Sequence, residues 1–289
     1  MIIVTGTKRS GTSMWMQILI AAGLTPFGEA FPRKWGETIR EANPGGFFES
    51  ILRMGIYYRT NPHPKTGDYF FPEQVESHLV KVFIPGLVRT DRAFIGSVVA
   101  TMRDWREYEA SLSRLHAMED ETAAARAKER GKRPRKPPRR IPPALEWWTE
   151  NFQLLRDIAT RRYRVHVQSY DGLLQDPDKV IAQVVGWLGQ GDAEAAAAAV
   201  KPELRTQDRP ESSSVEPELA AVFDELYDTI HRGEPVSAAF LGELNEANAK
   251  LAPRFAEHQK AILLERQRRR AAAGDTTAPP EDDDDVPTW

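Results

Sequence analysis

The sequence predicts an α/β fold in which a mostly parallel central sheet is flanked by helices. Three observations predict it: a short apolar strand that leads through a glycine-bounded loop into a helix, further apolar runs without polar alternation, and a repeated order of strand then helix. Strands that are buried on both faces have this continuous apolar character, which is typical of parallel sheets covered by helices.

The individual elements follow from these patterns in chain order. The predicted strands cover residues 2–5, 79–84, 93–101 and 163–168. The predicted helices cover residues 14–22, 106–118, 144–159, the stretch after Asp176 and Pro177, and most of 214–270. Gly23 supplies the stop signal for the first helix, and Asp176 with Pro177 supplies the start of a later one.

A single domain over residues 1–270 accommodates all of these elements, because 289 residues suffice for one sizeable core and the composition shows no break between two. A flexible basic insertion is expected at about 120–143, where cations and prolines dominate and cannot bury a core. It is either a solvated loop or a cationic lip that steers anions. Residues 271–289, with five acidic residues at 281–285, are expected to form a disordered acidic tail.

Composition excludes several classes of protein and site. A formal net charge of −3 does not favour a nucleic-acid partner. The absence of cysteine excludes disulfides, thiolate metal sites and a cysteine nucleophile. The sequence contains no run of about 20 apolar residues, so no membrane span is predicted. The six histidines lack metal-ligand spacing, so we expect no metal. The lack of cysteine and of a long apolar run leads us to expect a cytoplasmic protein.

The first loop carries the strongest chemical signal. Gly6 and Gly11 have the spacing of a phosphate loop, whose backbone N–H groups and following helix N-terminus surround an anion. A nucleoside triphosphatase would place lysine directly after the second glycine, where this chain has Thr12. The cations lie instead inside the loop, as Lys8 and Arg9. This pattern predicts an anion site that is not built for ATP, with a glycine turn that binds nothing as the alternative.

Three segments resemble the sulfotransferase family that uses 3'-phosphoadenosine-5'-phosphosulfate (PAPS). Residues 9–13 resemble its 5'-phosphosulfate loop, residues 98–111 resemble its 3'-phosphate motif, and residues 168–177 resemble its Tyr-Glu-Asp-Leu segment. The resemblance implies a sulfotransferase-like fold with a phosphate loop, and a donor bound without a metal ion. The donor-binding residues that it implies are Lys8, Arg9, Ser10, Gly11, Thr12, Ser13, Arg103, Ser111 and Tyr170. Ser111 as ordinary helix surface and Tyr170 as a packing residue are the alternatives.

Departures from the family pattern shift the catalytic hypothesis. Phe83 stands where cytosolic members have the histidine that takes the acceptor proton. Residues 43–49 resemble an element of the bacterial and carbohydrate-modifying branches, which makes Glu49 the candidate base, with His63 in reserve. A buried salt-bridge partner or a helix cap is the alternative role for Glu49. The closing loop of the cytosolic members is missing, and Arg205 and Arg209 are weak candidates to replace it.

The resemblance implies in-line transfer of a sulfuryl group to a hydroxyl acceptor. Arg9, with Lys8, would neutralise the departing 5'-phosphate, and Lys81 would contact the transferring group. Aromatic residues between Trp35 and Phe71 suit a sugar or glycan, a lipid-like alcohol or a phenol equally well. The competing functions are a kinase with a displaced lysine and a non-catalytic binding protein.

Overall fold

A computed structural model describes residues 1–31, 45–64, 66–134, 136–200, 210 and 215–273. Its centre is a five-stranded sheet in the order β2-β3-β1-β4-β5, and all four strand pairs are parallel. The strands are β1 (Ile2–Gly6), β2 (Thr25–Phe27), β3 (His78–Lys81), β4 (Ser97–Met102) and β5 (Arg164–Ser169). The predicted α/β fold with a parallel central sheet is confirmed.

Helices cover both faces of this sheet. They are α1 (Thr12–Ala21), α2 (Ile84–Arg89), α3 (Trp105–Glu129), α4 (Pro143–Arg161), α5 (Tyr170–Gln175), α6 (Pro177–Leu188), α7 (Ala193–Ala197), α8 (Pro217–Arg232) and α9 (Ala238–Ala273). Single 3-10 turns lie at Ile51–Met54, Pro72–Gln74 and Arg92–Phe94. Within the described ranges, no helix combines the length and the apolar character needed to cross a bilayer.

Two predicted strands are shorter than the sequence suggested. β3 ends at Lys81 because Pro85 lies in the first turn of α2, where its fixed φ favours a helix start. β4 begins only at Ser97, because the side chain of Asp91 caps the 3-10 turn before it. The short elements β2, α5 and α7 were not predicted.

The helix after β4 is longer than predicted, and this corrects part of the proposed insertion. α3 continues from Trp105 to Glu129, since residues 119–129 are rich in Ala, Glu and other strong helix formers. The first part of the stretch at 120–143 is therefore helical, and residues 130–134 and 136–142 lie in neither a helix nor a strand. Arg140 at its end is held by Asp120 of α3, with Nη1 of Arg140 2.8 Å from Oδ2 of the aspartate.

The hydrophobic core consists of three clusters, two of which include residues of β1. Successive residues of β1 point to opposite faces: Val4 packs with α1 and α6, and Ile3 packs with Leu87 of α2 and Leu154 of α4. A third cluster joins α3, α4, α8 and α9 around Phe223, which stacks on Trp148 with a centroid distance of 4.8 Å. Because all four strand pairs are parallel, the carboxyl ends of the strands lie at one edge of the sheet, which is where open α/β sheets bind ligands.

Candidate functional site

The loop between β1 and α1 is closed by its own hydrogen bonds. Ser10 donates from its hydroxyl to the carbonyl oxygen of Thr7 at 2.7 Å and from its amide at 3.2 Å. A Cβ on Gly6 would lie against Ser10 Oγ and 2.6 Å from the carbonyl oxygen of Thr101, so only glycine fits there. The loop is thus packed against the end of β4, and Ser10 builds the loop with its hydroxyl.

The start of α1 has the features of an anion-binding helix N-terminus. Gly11 is the N-cap residue with φ of 96°, and it provides no side-chain cap. The first N–H groups of an α-helix have no partner within the helix, so they favour an anion in front of them. Thr12 is buried in this first turn, and Ser13 is half-buried beside it. The predicted phosphate loop therefore has a backbone suited to an anion.

Arg9 connects this loop to α3. The backbone of Arg9 has a φ of 67°, and its side-chain Nε donates to Ser111 Oγ at 3.2 Å. Ser111 is only 3% exposed, so it is not ordinary helix surface. The two terminal amino groups of Arg9 make no hydrogen bond to any described residue. The structure therefore brings together two residues that the sequence assigned to separate phosphate motifs.

Arg103 lies beside them but is already engaged. Its Nε and Nη2 donate to Glu107 Oε2 at 3.1 and 3.0 Å, and its Nη1 donates to the carbonyl oxygen of Arg9 at 3.2 Å. Glu107 is completely buried, so this ion pair is shielded from water. Glu107 was not predicted as a site residue, although it follows Arg103 by only four positions. Arg103 thus supports the loop backbone directly.

Tyr170 closes the loop from the side of β5. A Cβ on Gly11 would lie 2.7 Å from the Cδ2 atom of this ring, so the ring packs directly against the helix start. The guanidinium carbon of Arg103 lies 4.7 Å from the ring centre, a cation–π contact. The position of Tyr170 is fixed because Ser169 caps α5, accepting from the Gly172 amide at 3.0 Å. Three segments distant in sequence therefore surround one helix start.

Lys81 and Glu49 form a buried network on the other side of the loop. Lys81 Nζ donates to Ser13 Oγ at 3.0 Å, to the carbonyl oxygen of Phe47 at 3.1 Å and to Glu49 Oε1 at 3.3 Å. Glu49 Oε2 accepts from Arg53 Nη1 at 2.7 Å. Both oxygens of Glu49 are thus occupied, which is the buried salt-bridge arrangement that the sequence offered as the alternative to a base.

The charges of this edge are concentrated and predominantly positive. The pKa of Arg9 is lowered by burial and by the charges of Arg103 and Arg114. Burial also lowers the pKa of Lys81, which the neighbouring Glu49 carboxylate partly opposes. Cations that are desolvated and close to one another favour the binding of an anion, which relieves both penalties.

Lys8, the other cation of the loop, also acts on charged groups outside it. Its side chain is exposed, and its charge acts on Glu150 of α4 and His116 of α3. Burial and the charge of Glu146 raise the pKa of Glu150 to about 8, which Lys8 opposes. Burial, Arg140 and Lys8 lower the pKa of His116 to about 4. Glu146 and Glu150 were not predicted, and their only sequence signal is their four-residue spacing on one helix.

The remaining candidate residues lie elsewhere or outside the described ranges. The ring of His63 makes a local hydrogen bond, in which Nδ1 accepts from the Thr66 amide at 3.1 Å. No group of three or more His, Asp or Glu side chains in the described parts of the chain could hold a metal ion. Asn43, Pro44, Trp35, Arg205, Arg209 and the acidic tail beyond residue 273 lie outside the described residues.

An open cavity lies next to Phe27, the last residue of β2. It has a volume of about 440 Å³ and is lined by Phe27, Thr66, Asp68, Tyr69, Phe70 and Gln74. Tyr69 and Phe71 stack with a centroid distance of 6.3 Å and are both largely exposed. Two residues after Phe27, the Glu29 amide donates to the Glu49 carbonyl oxygen at 3.2 Å, which ties this wall to the Lys81 network.

Comparisons with known proteins give similarities of structure only. No protein-family model matches the chain, and no curated protein matches it. A sulfotransferase domain from the Synechococcus PCC 7002 olefin synthase is similar over 89% of this chain and 94% of its own length, with 18% identity and a TM-score of 0.38. A sulfotransferase domain from the curacin biosynthetic pathway is similar over 87% and 96%, with 15% identity and a TM-score of 0.36.

Proposed function

We propose that the chain is a sulfotransferase that transfers a sulfuryl group from PAPS to a hydroxyl acceptor. The observation that carries the proposal is the hydrogen bond from Arg9 to Ser111, at 3.2 Å, beside an uncapped helix start. It joins the two segments that resemble the 5'-phosphosulfate and 3'-phosphate motifs. A donor with phosphates at both positions needs such neighbouring cationic subsites, and ATP does not.

The residues at this edge suit such a donor in charge and in shape. The N–H groups at the start of α1, with Thr12 and Ser13, would hold the 5'-phosphosulfate. The free amino groups of Arg9, with Ser111, would hold the 3'-phosphate, since a guanidinium binds phosphate through paired hydrogen bonds. Tyr170, packed on Gly11, would border the adenosine. Arg103 would act by holding the backbone of Arg9 in place.

The chemistry is an in-line exchange of one oxygen–sulfur bond for another. A bond forms between the acceptor oxygen and sulfur while the bond from sulfur to the 5'-phosphate oxygen breaks, and the electron pair remains on the phosphate. Arg9 and Lys81 would stabilise that charge. The acceptor proton would pass to Glu49, whose Oε1 becomes available if Lys81 turns from it toward the transferring group.

The cavity lined by Phe27 and Tyr69 is the proposed acceptor entrance. Exposed aromatic faces beside Thr66, Asp68 and Gln74 suit a compound that has both an apolar face and several hydroxyl groups. This combination favours a sugar over a lipid-like alcohol within the classes that the sequence left open. The hydrogen bond from the Glu29 amide to the Glu49 carbonyl oxygen, two residues after Phe27, supports an acceptor entrance on the side of the candidate base.

A thermal-shift comparison tests the donor. We expect 3'-phosphoadenosine-5'-phosphate without magnesium to stabilise the protein by about 2.7 kcal/mol at 100 times its dissociation constant. A shift with magnesium-ATP and none with the bisphosphate would favour the displaced-lysine kinase and reject the proposal. Incubation with labelled PAPS and a panel of sugars, alcohols and phenols then separates an enzyme from a binding protein, because only the enzyme transfers label.

A further inference from the structure

Two segments far apart in the sequence form one basic surface. Residues 126–140 contain nine Lys or Arg and one Glu, and residues 266–270 contain four Arg. The Nη2 atom of Arg269 donates to the carbonyl oxygens of Lys136 and Pro137, both at 3.1 Å. The last turns of α9 therefore lie against the loop that follows α3. These two segments are called the basic surface below.

Most of the cations on the basic surface have no local counter-charge. Arg140 is paired with Asp120 and Glu119, and Arg269 is paired with Glu265. Apart from Arg270, which is half-buried, the other described cations of the surface are exposed and form no salt bridge with any described residue. These exposed, unpaired cations are Arg126, Lys128, Arg130, Lys132, Arg133, Lys136, Arg139, Arg266 and Arg268. Like charges at this density repel one another and attract any available anion.

An acidic segment of the same chain follows α9, the helix whose last turns belong to the basic surface. α9 ends at Ala273, one turn beyond Arg269, and the five consecutive acidic residues 281–285 start eight residues later. A stretch of eight residues can reach at most about 28 Å. A segment tethered at this distance has an effective concentration on the order of millimolar. It therefore competes strongly with free anions.

We propose that the acidic run 281–285 binds the basic surface of the same chain. The tail then acts as a built-in counter-ion that keeps unrelated polyanions off the surface. Charge complementarity and the attachment point at Arg269 both favour this occupant over a separate partner. The inference does not depend on the proposed sulfotransferase activity.

Binding of a labelled heparin oligosaccharide to the full-length protein tests the proposal. The tail variant combines Glu281→Gln with Asp282→Asn, Asp283→Asn, Asp284→Asn and Asp285→Asn. At low salt we expect it to bind the probe at least tenfold more tightly than the unmodified chain, and the difference should vanish at about 1 M salt because the interaction is screened. In a background of Lys132→Gln, Arg133→Gln and Lys136→Gln, the same tail substitutions should change affinity less than twofold. Equal affinity of the tail variant and the unmodified chain would overturn the proposal and leave the surface open to a partner in trans.

Carbodiimide cross-linking of the unmodified chain provides a direct second measurement. We expect the tail carboxylates to link to Lys128, Lys132 or Lys136 within one chain, and rarely to Lys179, which is exposed on α6. Links that join two chains, or links spread evenly over all these lysines, would contradict binding in cis.

Discussion

The Nε atom of Arg9 donates a hydrogen bond to Ser111 Oγ at 3.2 Å, although the two residues are separated by 102 positions in the sequence. The bond fixes a cation of the β1–α1 loop against the first turns of α3. Ser111 is buried, so the bond is largely shielded from water. The candidate donor site is consequently one joined unit in which a change at either residue should be felt by the other.

Replacing either residue should weaken binding of 3'-phosphoadenosine-5'-phosphate. We expect a loss of about 1.5–3 kcal/mol for Arg9→Ala and about 0.5–1.5 kcal/mol for Ser111→Ala, the usual worth of charged and neutral hydrogen bonds. The double variant should lose less than the sum, with a coupling of at least about 0.5 kcal/mol by calorimetry. Ser113→Ala, exposed on the same helix, is the matched control. Equal losses at Ser111 and Ser113 would refute the assignment.

Arg103→Ala should act on stability as well as on binding. It breaks the buried ion pair between Arg103 and Glu107, and removing one member of such a pair costs about 3–5 kcal/mol in the free energy of unfolding. Adding Glu107→Gln should recover much of that stability, as measured by urea unfolding. Affinity for the bisphosphate should stay reduced in the double variant, because the support for the Arg9 backbone is still missing. Full recovery of affinity would show that Arg103 has no role in the site.

The parts of the site that follow from local rules could be predicted from the sequence. The glycine spacing of the loop, the apolar run of β1 and the position of Arg103 after β4 each depend on neighbouring residues alone. The fold class followed from the same signals. The extent of α3 was underestimated because its later residues lack an apolar stripe, and only their helix propensity indicates that the helix continues.

The partners within the site could not be predicted, because sheet topology creates them. Glu49 and Lys81 lie 32 positions apart, and they meet only because Lys81 ends a strand beside the loop. The interaction of Lys8 with Glu150 could not be predicted for the same reason, because Glu150 lies on α4, far from the loop in the sequence.

Gly11→Ala should disrupt the candidate site more than its backbone strain alone explains. Gly11 and Gly23 have φ of 96° and 95°, so alanine costs about 1–2 kcal/mol at either position. A Cβ at Gly11 would also meet the Tyr170 ring at 2.7 Å, whereas a Cβ at Gly23 meets nothing within 4 Å. Thermal unfolding and bisphosphate titration should therefore show a larger loss for Gly11→Ala. Indistinguishable behaviour of the two variants would mean that the ring moves away without consequence.

Glu49→Gln separates a base from a salt-bridge residue. A base predicts a fall in kcat of about 10²- to 10⁴-fold with bisphosphate affinity unchanged. Arg53→Gln is the matched control, since it removes one ion pair of Glu49 and keeps the carboxylate. We expect Arg53→Gln to lower the melting temperature and to retain most of the turnover. If both variants lose turnover equally, the carboxylate serves the structure, and the acceptor proton goes elsewhere.

Glu150→Gln should change how stability depends on pH. Burial and Glu146 raise the pKa of Glu150 from 4.5 to about 8 in the folded chain. The folded state therefore holds a proton between these pH values that the unfolded state has released, so stability declines as pH rises through this window.

The glutamine variant lacks this titration. It should match the unmodified chain in stability near pH 4.5 and be more stable by several kcal/mol near pH 8.5, since each pKa unit between 4.5 and about 8 corresponds to about 1.4 kcal/mol. Urea unfolding at several pH values measures this directly. Glu146→Gln should flatten the same dependence partly, because removing its charge lowers the pKa of Glu150. Parallel stability curves for the unmodified chain and Glu150→Gln would show that Glu150 is ionised in the folded protein throughout this range, and that Lys8 neutralises it.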